Sequence, residues 1–191
     1  MDSLTLRFEI PTKEVLNANS LPNHFIVKGK MAAALRLKGA EAGLLAHPDS
    51  EAAKKRFDVI REEEALKLQK SRRRKAMNKT KESDEAIEAA LLEIEDNSGI
   101  EVASKDMPVE FPFKRFTVDV VVSASTRRRF DPPNLYPTVK HLIDGLTDAS
   151  FWEDDSFNQL ISMSFRAGDL SGVKGNFAIT LNIQEEEADE S

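Results

Sequence analysis

The sequence predicts an α/β protein of the α+β kind, in which helices pack on a mixed sheet of about four strands. Two observations support this fold class. Four segments have the residue pattern of β-strands, and segments with helical character lie between them. In chain order the elements are a strand, a helix, a charged insertion, a strand, a helix and two strands. This order favours helices packed against a single sheet.

The strands are predicted from the alternation of apolar and polar side chains. Residues 4–10 alternate in this way. Residues 113–125 form the strongest strand, and Asp119 points to the face opposite its apolar side chains, as an edge or paired acid. Residues 160–165 and 176–183 are the last two strands. The turn-rich segment between them predicts a β-hairpin.

The predicted helix of residues 25–45 is rich in alanine and has a basic surface. Its cations have two interpretations, DNA contact or an ordinary solvated face, and the sequence leaves both open. The candidates for DNA contact on this helix are Lys28, Lys30 and Arg36.

Composition divides the chain into three parts. Residues 1–47 and 109–184 are predicted to form the α/β domain, and residues 48–108 a charged helical insertion. Residues 185–191 are predicted to be an acidic, disordered tail.

The insertion is predicted to contain a long helix, residues 50–77, and a second helix, residues 83–96. Eight lysine and arginine side chains lie between positions 67 and 81, with no acid among them. One interpretation is an arm that binds DNA phosphates. The other is a helical hairpin in which the acids after Ser83 neutralise these cations.

The formal net charge of −6 does not exclude a nucleic-acid partner, because the charges are segregated along the chain. Without the five acids of the tail, the rest of the chain has a formal charge of about −1. Cysteine is absent, which excludes disulfides and thiolate metal sites and suits a reducing compartment. No segment has the length of a membrane span or the pattern of a secretory signal, so a soluble cytoplasmic protein is expected.

The candidate catalytic and metal-binding residues lie in residues 127–159, RRRFDPPNLYPTVKHLIDGLTDASFWEDDSFNQ. This segment joins a basic triplet, a proline-rich extended turn and a short helix whose apolar residues recur at helical spacing. Acids lie before, on and after the helix, and a turn back after it would bring them near one another. Hard cations such as Mg²⁺ take oxygen ligands. The candidate metal ligands are Asp131, Asp144, Asp154 and Asp155.

These residue types match the needs of a magnesium-dependent phosphodiesterase. Metal ions would polarise the scissile phosphate, and Lys140 would stabilise the charge that develops in the transition state. The simpler alternative is that Lys140 and Asp144 form a surface ion pair. His141 is expected to be solvated, although it lies near the site. The candidates for contact with flanking phosphates are Arg127, Arg128 and Arg129.

The same segment resembles the RusA-type Holliday junction resolvases, which are crossover junction endodeoxyribonucleases of bacteria and their phages. That family has a basic run, an Asp-x-Asp-Asn segment, a lysine, an Asp-x-Leu helix end and a Trp-x-Asp-Asp pair. The matching residues are Arg127 to Arg129, Asp131, Asn134, Lys140, Asp144-Gly145-Leu146 and Trp152-Glu153-Asp154-Asp155. The version found here is most similar to phage and prophage members, and the insertion lies outside the resemblance.

The resemblance implies a homodimer that binds four-way DNA junctions and nicks them in pairs during recombination and repair, with Mg²⁺ or Mn²⁺ as the cofactor. By resemblance, Asp131 and Asp155 are catalytic metal-binding acids and Lys140 is the catalytic lysine. The chain departs from the family at Pro133, which stands where the family has a second acid. Either Asp144 or Asp154 replaces that ligand, or activity is reduced or lost.

Two alternatives therefore remain beside the nuclease. One is a catalytically impaired protein of the same fold that binds branched DNA or a phage partner. The other is an interaction module whose working part is the charged helical segment.

Overall fold

A computed structural model of the chain describes residues 3–20, 25–48, 50–80, 111–156 and 158–186. Its strands and helices are β1 (Ser3–Pro11), α1 (Phe25–Ala46), α2 (Glu51–Thr80), β2 (Phe116–Ser123), α3 (Tyr136–Asp148), β3 (Leu160–Ala167) and β4 (Asn176–Glu185). Short 3-10 turns lie at Thr12–Glu14, Ala18–Ser20 and Pro132–Leu135. Within these described ranges, no helix combines the length and apolar character needed to cross a membrane.

The predicted fold class is confirmed, because the strands form one mixed sheet in the order β1-β4-β2-β3. β4 is antiparallel to β1 and to β2, whereas β2 and β3 are parallel. Parallel neighbours need a crossover connection, and α3 provides it between β2 and β3.

The predicted hairpin of β3 and β4 is wrong, because β2 lies between these two strands. The segment that joins them crosses the end of β2. Gly168 donates its N–H to the carbonyl oxygen of Val122 at 2.9 Å, and Ser171 donates to that of Ala124 at 2.9 Å. The turn-rich composition correctly indicated a change of direction. The pairing partner was set by the parallel crossover, which local composition does not encode.

One face of the sheet packs with α1 and α3 to form the hydrophobic core. The buried residues of β2 are Phe116, Val118, Val120 and Val122, as their alternation predicted. The fully buried apolar residues of α3 are Val139, Leu142, Ile143 and Leu146, as their helical spacing predicted. Burying one such side chain contributes roughly 1.5–3 kcal/mol, so this layer fixes α3 firmly on the sheet.

The other face of the sheet carries a row of hydrogen-bonded polar side chains. Thr5 donates its hydroxyl to the amide oxygen of Asn182 at 3.1 Å, and Asn182 donates its amide to Asp119 at 3.4 Å. Ser164 and Arg166 also donate to Asp119, at 2.7 and 2.9 Å. The bond from Ser164 is the largest cause of the lowered pKa of Asp119, and partial burial opposes it. Asp119 is therefore a paired acid, one of the two sequence-based alternatives.

Two glycines allow α1 and α3 to cross with their backbones in close contact. A Cβ atom added to Gly39 would lie 2.1 Å from the carbonyl oxygen of Leu142. A Cβ atom added to Gly145 would lie 2.0 Å from the carbonyl oxygen of Arg36. The crossing also pairs Arg36 with Asp148, which accepts hydrogen bonds from the guanidinium Nε and, at 2.7 Å, from Nη2.

The insertion contributes α2, which confirms the predicted long helix. The predicted helix at residues 83–96 lies outside the described residues. β4 continues through Glu185, which pairs with Phe116, and Glu186 donates its N–H to the carbonyl oxygen of Arg115 at 2.9 Å. The first residue of the predicted acidic tail thus belongs to the sheet, and the second bonds to the residue just before β2. The rest of the tail, residues 187–191, is not described.

Candidate active site

α3 places Lys140 and Asp144 one turn apart, on a flank that its buried stripe leaves partly open. Pro137 lies in the first turn of the helix. A backbone N–H at this position would have no partner within the helix, so proline loses no hydrogen bond there. The preceding residues, Pro132–Leu135, form a 3-10 turn and not the predicted extended turn. The fixed φ of proline is compatible with both conformations.

The end of α3 turns the chain back toward Lys140. Phe151 donates its N–H to the carbonyl oxygen of Leu146 at 3.1 Å, and Ser150 donates to that of Thr147 at 2.9 Å. These two bonds form a Schellman motif. Ser150 adopts a φ of 60°, in the left-handed region that glycine usually occupies at this position.

Aromatic packing then anchors the loop that carries the acidic pair. Trp152 stacks on Phe116 with ring centroids 4.0 Å apart, and Phe151 stacks on Phe113 at 6.3 Å. The indole N–H of Trp152 donates to the hydroxyl of Thr147 at 2.7 Å. Both aromatic residues are fully buried. The loop is therefore held to the core just before the two acids.

The ammonium of Lys140 binds two acids that come from different parts of the chain. It donates to Asp144 on α3 and, at 2.5 Å, to Oδ2 of Asp155 in the loop after α3. Partial burial lowers the pKa of Lys140, but the hydrogen bonds and charges of the two acids outweigh it and raise the pKa overall. Lys140 is therefore a cation at neutral pH and is unsuited to act as a general base.

Sequence reasoning missed the contact made by His141. This side chain is only 27% exposed, and its Nδ1 lies 3.2 Å from Oδ2 of Asp144. The expectation of a solvated histidine was wrong, although the i, i+3 spacing of the two residues was an available signal. In the loop, Asp154 accepts the backbone N–H of Asp155 at 2.9 Å, which stabilises the turn.

Asp144 and Asp155 are two candidate metal ligands that the structure brings together around one nitrogen. Their oxygens bind the same nitrogen, so they lie no more than about 6 Å apart. Mg²⁺ is usually held by one or two carboxylates, while water and substrate phosphate complete its shell. In the part of the chain that the structure describes, no group of three or more His, Cys, Asp and Glu side chains is arranged to hold a metal. Asp131, Asp144, Asp154 and Asp155 all remain predictions as metal ligands.

Asp131 lines a polar cleft of about 650 Å³. One wall comes from the loop after β1, with Asn17 and Asn19, and the other from the segment before α3, with Arg129 and Asn134. The backbone carbonyl of Asp131 accepts the N–H of Asn134 at 3.0 Å and opens the 3-10 turn. The cleft thus offers a carboxylate, a guanidinium and amides to a polar ligand.

A buried threonine holds the loop after β1 in place. Thr138 accepts the N–H of Leu16 at 2.7 Å and donates its hydroxyl to the carbonyl oxygen of Leu16 at 2.9 Å. Both residues are fully buried. Sequence analysis could not predict this attachment of the loop to α3, because the two residues are 122 positions apart.

The predicted DNA-contacting cations occupy different surroundings. Arg127, Arg128 and Arg129 are exposed after β2, and Lys28 and Lys30 are exposed on α1. Arg36 is bound to Asp148, and that hydrogen bond is the largest cause of its raised pKa. DNA contact stays a prediction for all six side chains.

No protein-family model matches the chain, and no curated protein matches it significantly. The resemblance to RusA-type resolvases therefore rests on the residues of this sequence alone.

Proposed function

We propose that the protein is an Mg²⁺-dependent endodeoxyribonuclease that nicks four-way or otherwise branched DNA in recombination and repair. One observation carries the proposal: Asp144 and Asp155, from a helix and from the loop beyond it, converge on one lysine ammonium. Two carboxylates beside a fixed cation suit phosphodiester hydrolysis, which needs a metal site and stabilisation of negative charge.

Each residue has a distinct role in this proposal. Asp144 and Asp155 hold the metal ion. When bound, the ion polarises the scissile phosphate and lowers the pKa of an attacking water. Lys140, kept protonated by its two acids, donates to a phosphate oxygen or to the leaving oxygen as negative charge develops there. His141 restrains Asp144 through their contact.

The cleft beside Asp131 is proposed to receive the DNA strand. Arg129 supplies a cation for a backbone phosphate, and Arg127 and Arg128 extend the same basic run. Asp131 is proposed as a further catalytic acid because of the family resemblance. A homodimer is proposed on the same ground, since two related sites account for nicks made in pairs.

The test is cleavage of a labelled synthetic four-way junction by the wild type and by single variants. Asp155→Asn and Asp144→Asn should each slow Mg²⁺-dependent nicking by about 100-fold or more, because each removes a charged ligand. Asp119→Asn is the matched control, since Asp119 is a paired acid on the opposite face of the sheet. Nicking that persists in EDTA, or that is equally fast in Asp155→Asn, rules the proposal out.

A second candidate is a junction-binding protein that does not cut. It is favoured by Pro133, which stands where the family has an acid. Junction binding by the wild type with no nicks at any Mg²⁺ or Mn²⁺ concentration supports this candidate over the nuclease.

A further inference from the structure

The helix α2 lies beside α3, the helix that carries Lys140 and Asp144. It contacts both α1 and α3. Arg36 of α1 is bound to Asp148, and its pKa is further raised by the charges of Asp144 and of Glu63 on α2. Charges on a protein surface influence one another only over short distances in salt solution. Glu63 therefore lies near Arg36, whose partner Asp148 is one turn beyond Asp144 on α3.

The composition of α2 changes directly after this point. Residues 67–80, here called the basic half of α2, contain no acid. The cations of the basic half are Lys67, Lys70, Arg72, Arg73, Arg74, Lys75 and Lys79. The three arginines are exposed. At 1.5 Å per residue, the basic half extends about 20 Å along the helix axis.

Packing does not explain the basic half. Leu68 is 47% exposed, and none of the described residues of the basic half belongs to the hydrophobic core. Duplex DNA carries about one negative charge per 1.7 Å of its axis, so a cationic rod about 20 Å long can face several phosphates at once. Lysine and arginine side chains on a helix can bind phosphates, but they provide no fixed set of groups for recognising bases.

We propose that the basic half of α2 binds the phosphate backbone of a DNA arm that leads away from the candidate active site. This inference rests on the proposed function, since it takes DNA as the substrate. The contact adds affinity for the arm without choosing the cleavage sequence, and it places a DNA-binding surface in the insertion.

The experiment measures the binding of a labelled four-way junction, and of a duplex of equal arm length, at several salt concentrations without divalent metal. The test variant replaces Arg72, Arg73 and Arg74 by glutamine. Its matched control replaces Lys54, Lys55 and Arg61, three exposed cations in the first half of the same helix, by glutamine. Both variants keep the good helix propensity of α2, and circular dichroism and thermal unfolding check their folding.

The test variant should bind about 10-fold or more weakly, and its plot of log affinity against log salt should be shallower by about 2–3, since each phosphate contact contributes about 0.9. The control should match the wild type.

Equal salt slopes in all three proteins overturn the inference. So does a test variant with lower thermal stability and unchanged affinity, which would assign the arginines to ion pairs within the chain. If the binding changes as expected but the wild type makes no nicks, the nuclease proposal fails while this inference stands.

Discussion

Lys140 occupies the position between Asp144 and Asp155 that a metal ion would share with substrate. An ammonium and a divalent cation are both attracted by two facing carboxylates, so they compete for the same oxygens. At the residue scale, Lys140 stabilises the acid pair in the structure. Under the proposed function it would have a second role, and would move to a phosphate oxygen when metal and DNA bind.

Replacing Lys140 by methionine tests this competition. Lys140→Met removes the ammonium but keeps a similar apolar stem, so Mg²⁺ should bind the two acids about 10-fold more tightly. At saturating Mg²⁺ this gain adds about 1.4 kcal/mol to the stability of the variant, seen as a larger Mg²⁺-dependent rise in Tm than in the wild type. The double variant Lys140→Met/Asp155→Asn should lose the effect. A rise equal to that of the wild type would show that the pair is not a cation site.

Local spacing predicted part of the residue-scale structure. The i, i+4 spacing of Lys140 and Asp144 predicted their contact, and the turn after the helix was expected to bring Asp155 back. Thr138 gave no such signal, because its partner Leu16 is distant in sequence and their bond exists only in the folded chain. Side-chain contacts within one helical turn are predictable from sequence, whereas contacts between distant segments depend on the fold.

At the scale of elements, the left-handed residue at the end of α3 controls how the acidic loop returns. Ser150 has a φ of 60°, and its buried hydroxyl has no hydrogen-bond partner within the described residues. Glycine adopts a positive φ without strain and has no hydroxyl to leave without a partner. Ser150→Gly should therefore raise the free energy of unfolding by about 0.5–1 kcal/mol. Urea denaturation measures the change. Ser123→Gly, in β2, is the control and should lower stability by a similar amount. A loss of stability in Ser150→Gly would contradict the account of this turn.

The crossing of α1 and α3 makes a second prediction at this scale. Gly145→Ala places a methyl group against the backbone of α1, so it should lower the free energy of unfolding by about 1–3 kcal/mol or more. Gly29→Ala is the matched control, because nothing lies within 4 Å of its added Cβ atom. Alanine is the better helix former, so this variant should be up to about 1 kcal/mol more stable. Thermal unfolding measures the stability of both variants. Equal changes in stability for Gly145→Ala and Gly29→Ala would contradict the close crossing of the two helices.

Periodicity predicted the existence and type of the elements well. The alternation in β2 and the helical spacing in α3 each arise from burying one face, which is visible in a short window of sequence. Sheet order was not predictable in the same way. The segment after β3 resembles a hairpin turn in composition, yet it crosses β2 because α3 had already placed β3 at the sheet edge.

At the scale of the whole molecule, the fold brings three charged regions to one side of α3. These are the acid pair at Lys140, the Arg36–Asp148 pair at the helix crossing, and the stretch of α2 that precedes its basic half. The formal charge of −6 does not describe this side of the molecule, because acids and cations are segregated along the chain. Under the proposed function, a metal ion and a DNA backbone would lie close together on this surface.

The most direct measurement of the central claim is to map the nicks on all four strands of a fixed four-way junction in Mg²⁺. If Asp144, Asp155 and Lys140 form the catalytic centre of a dimeric resolvase, wild-type protein makes two nicks at symmetry-related positions near the branch point, and DNA ligase reseals the products. Asp155→Asn binds the junction but makes neither nick. Nicks scattered along the arms, or an unchanged symmetrical pair in Asp155→Asn, would contradict the account.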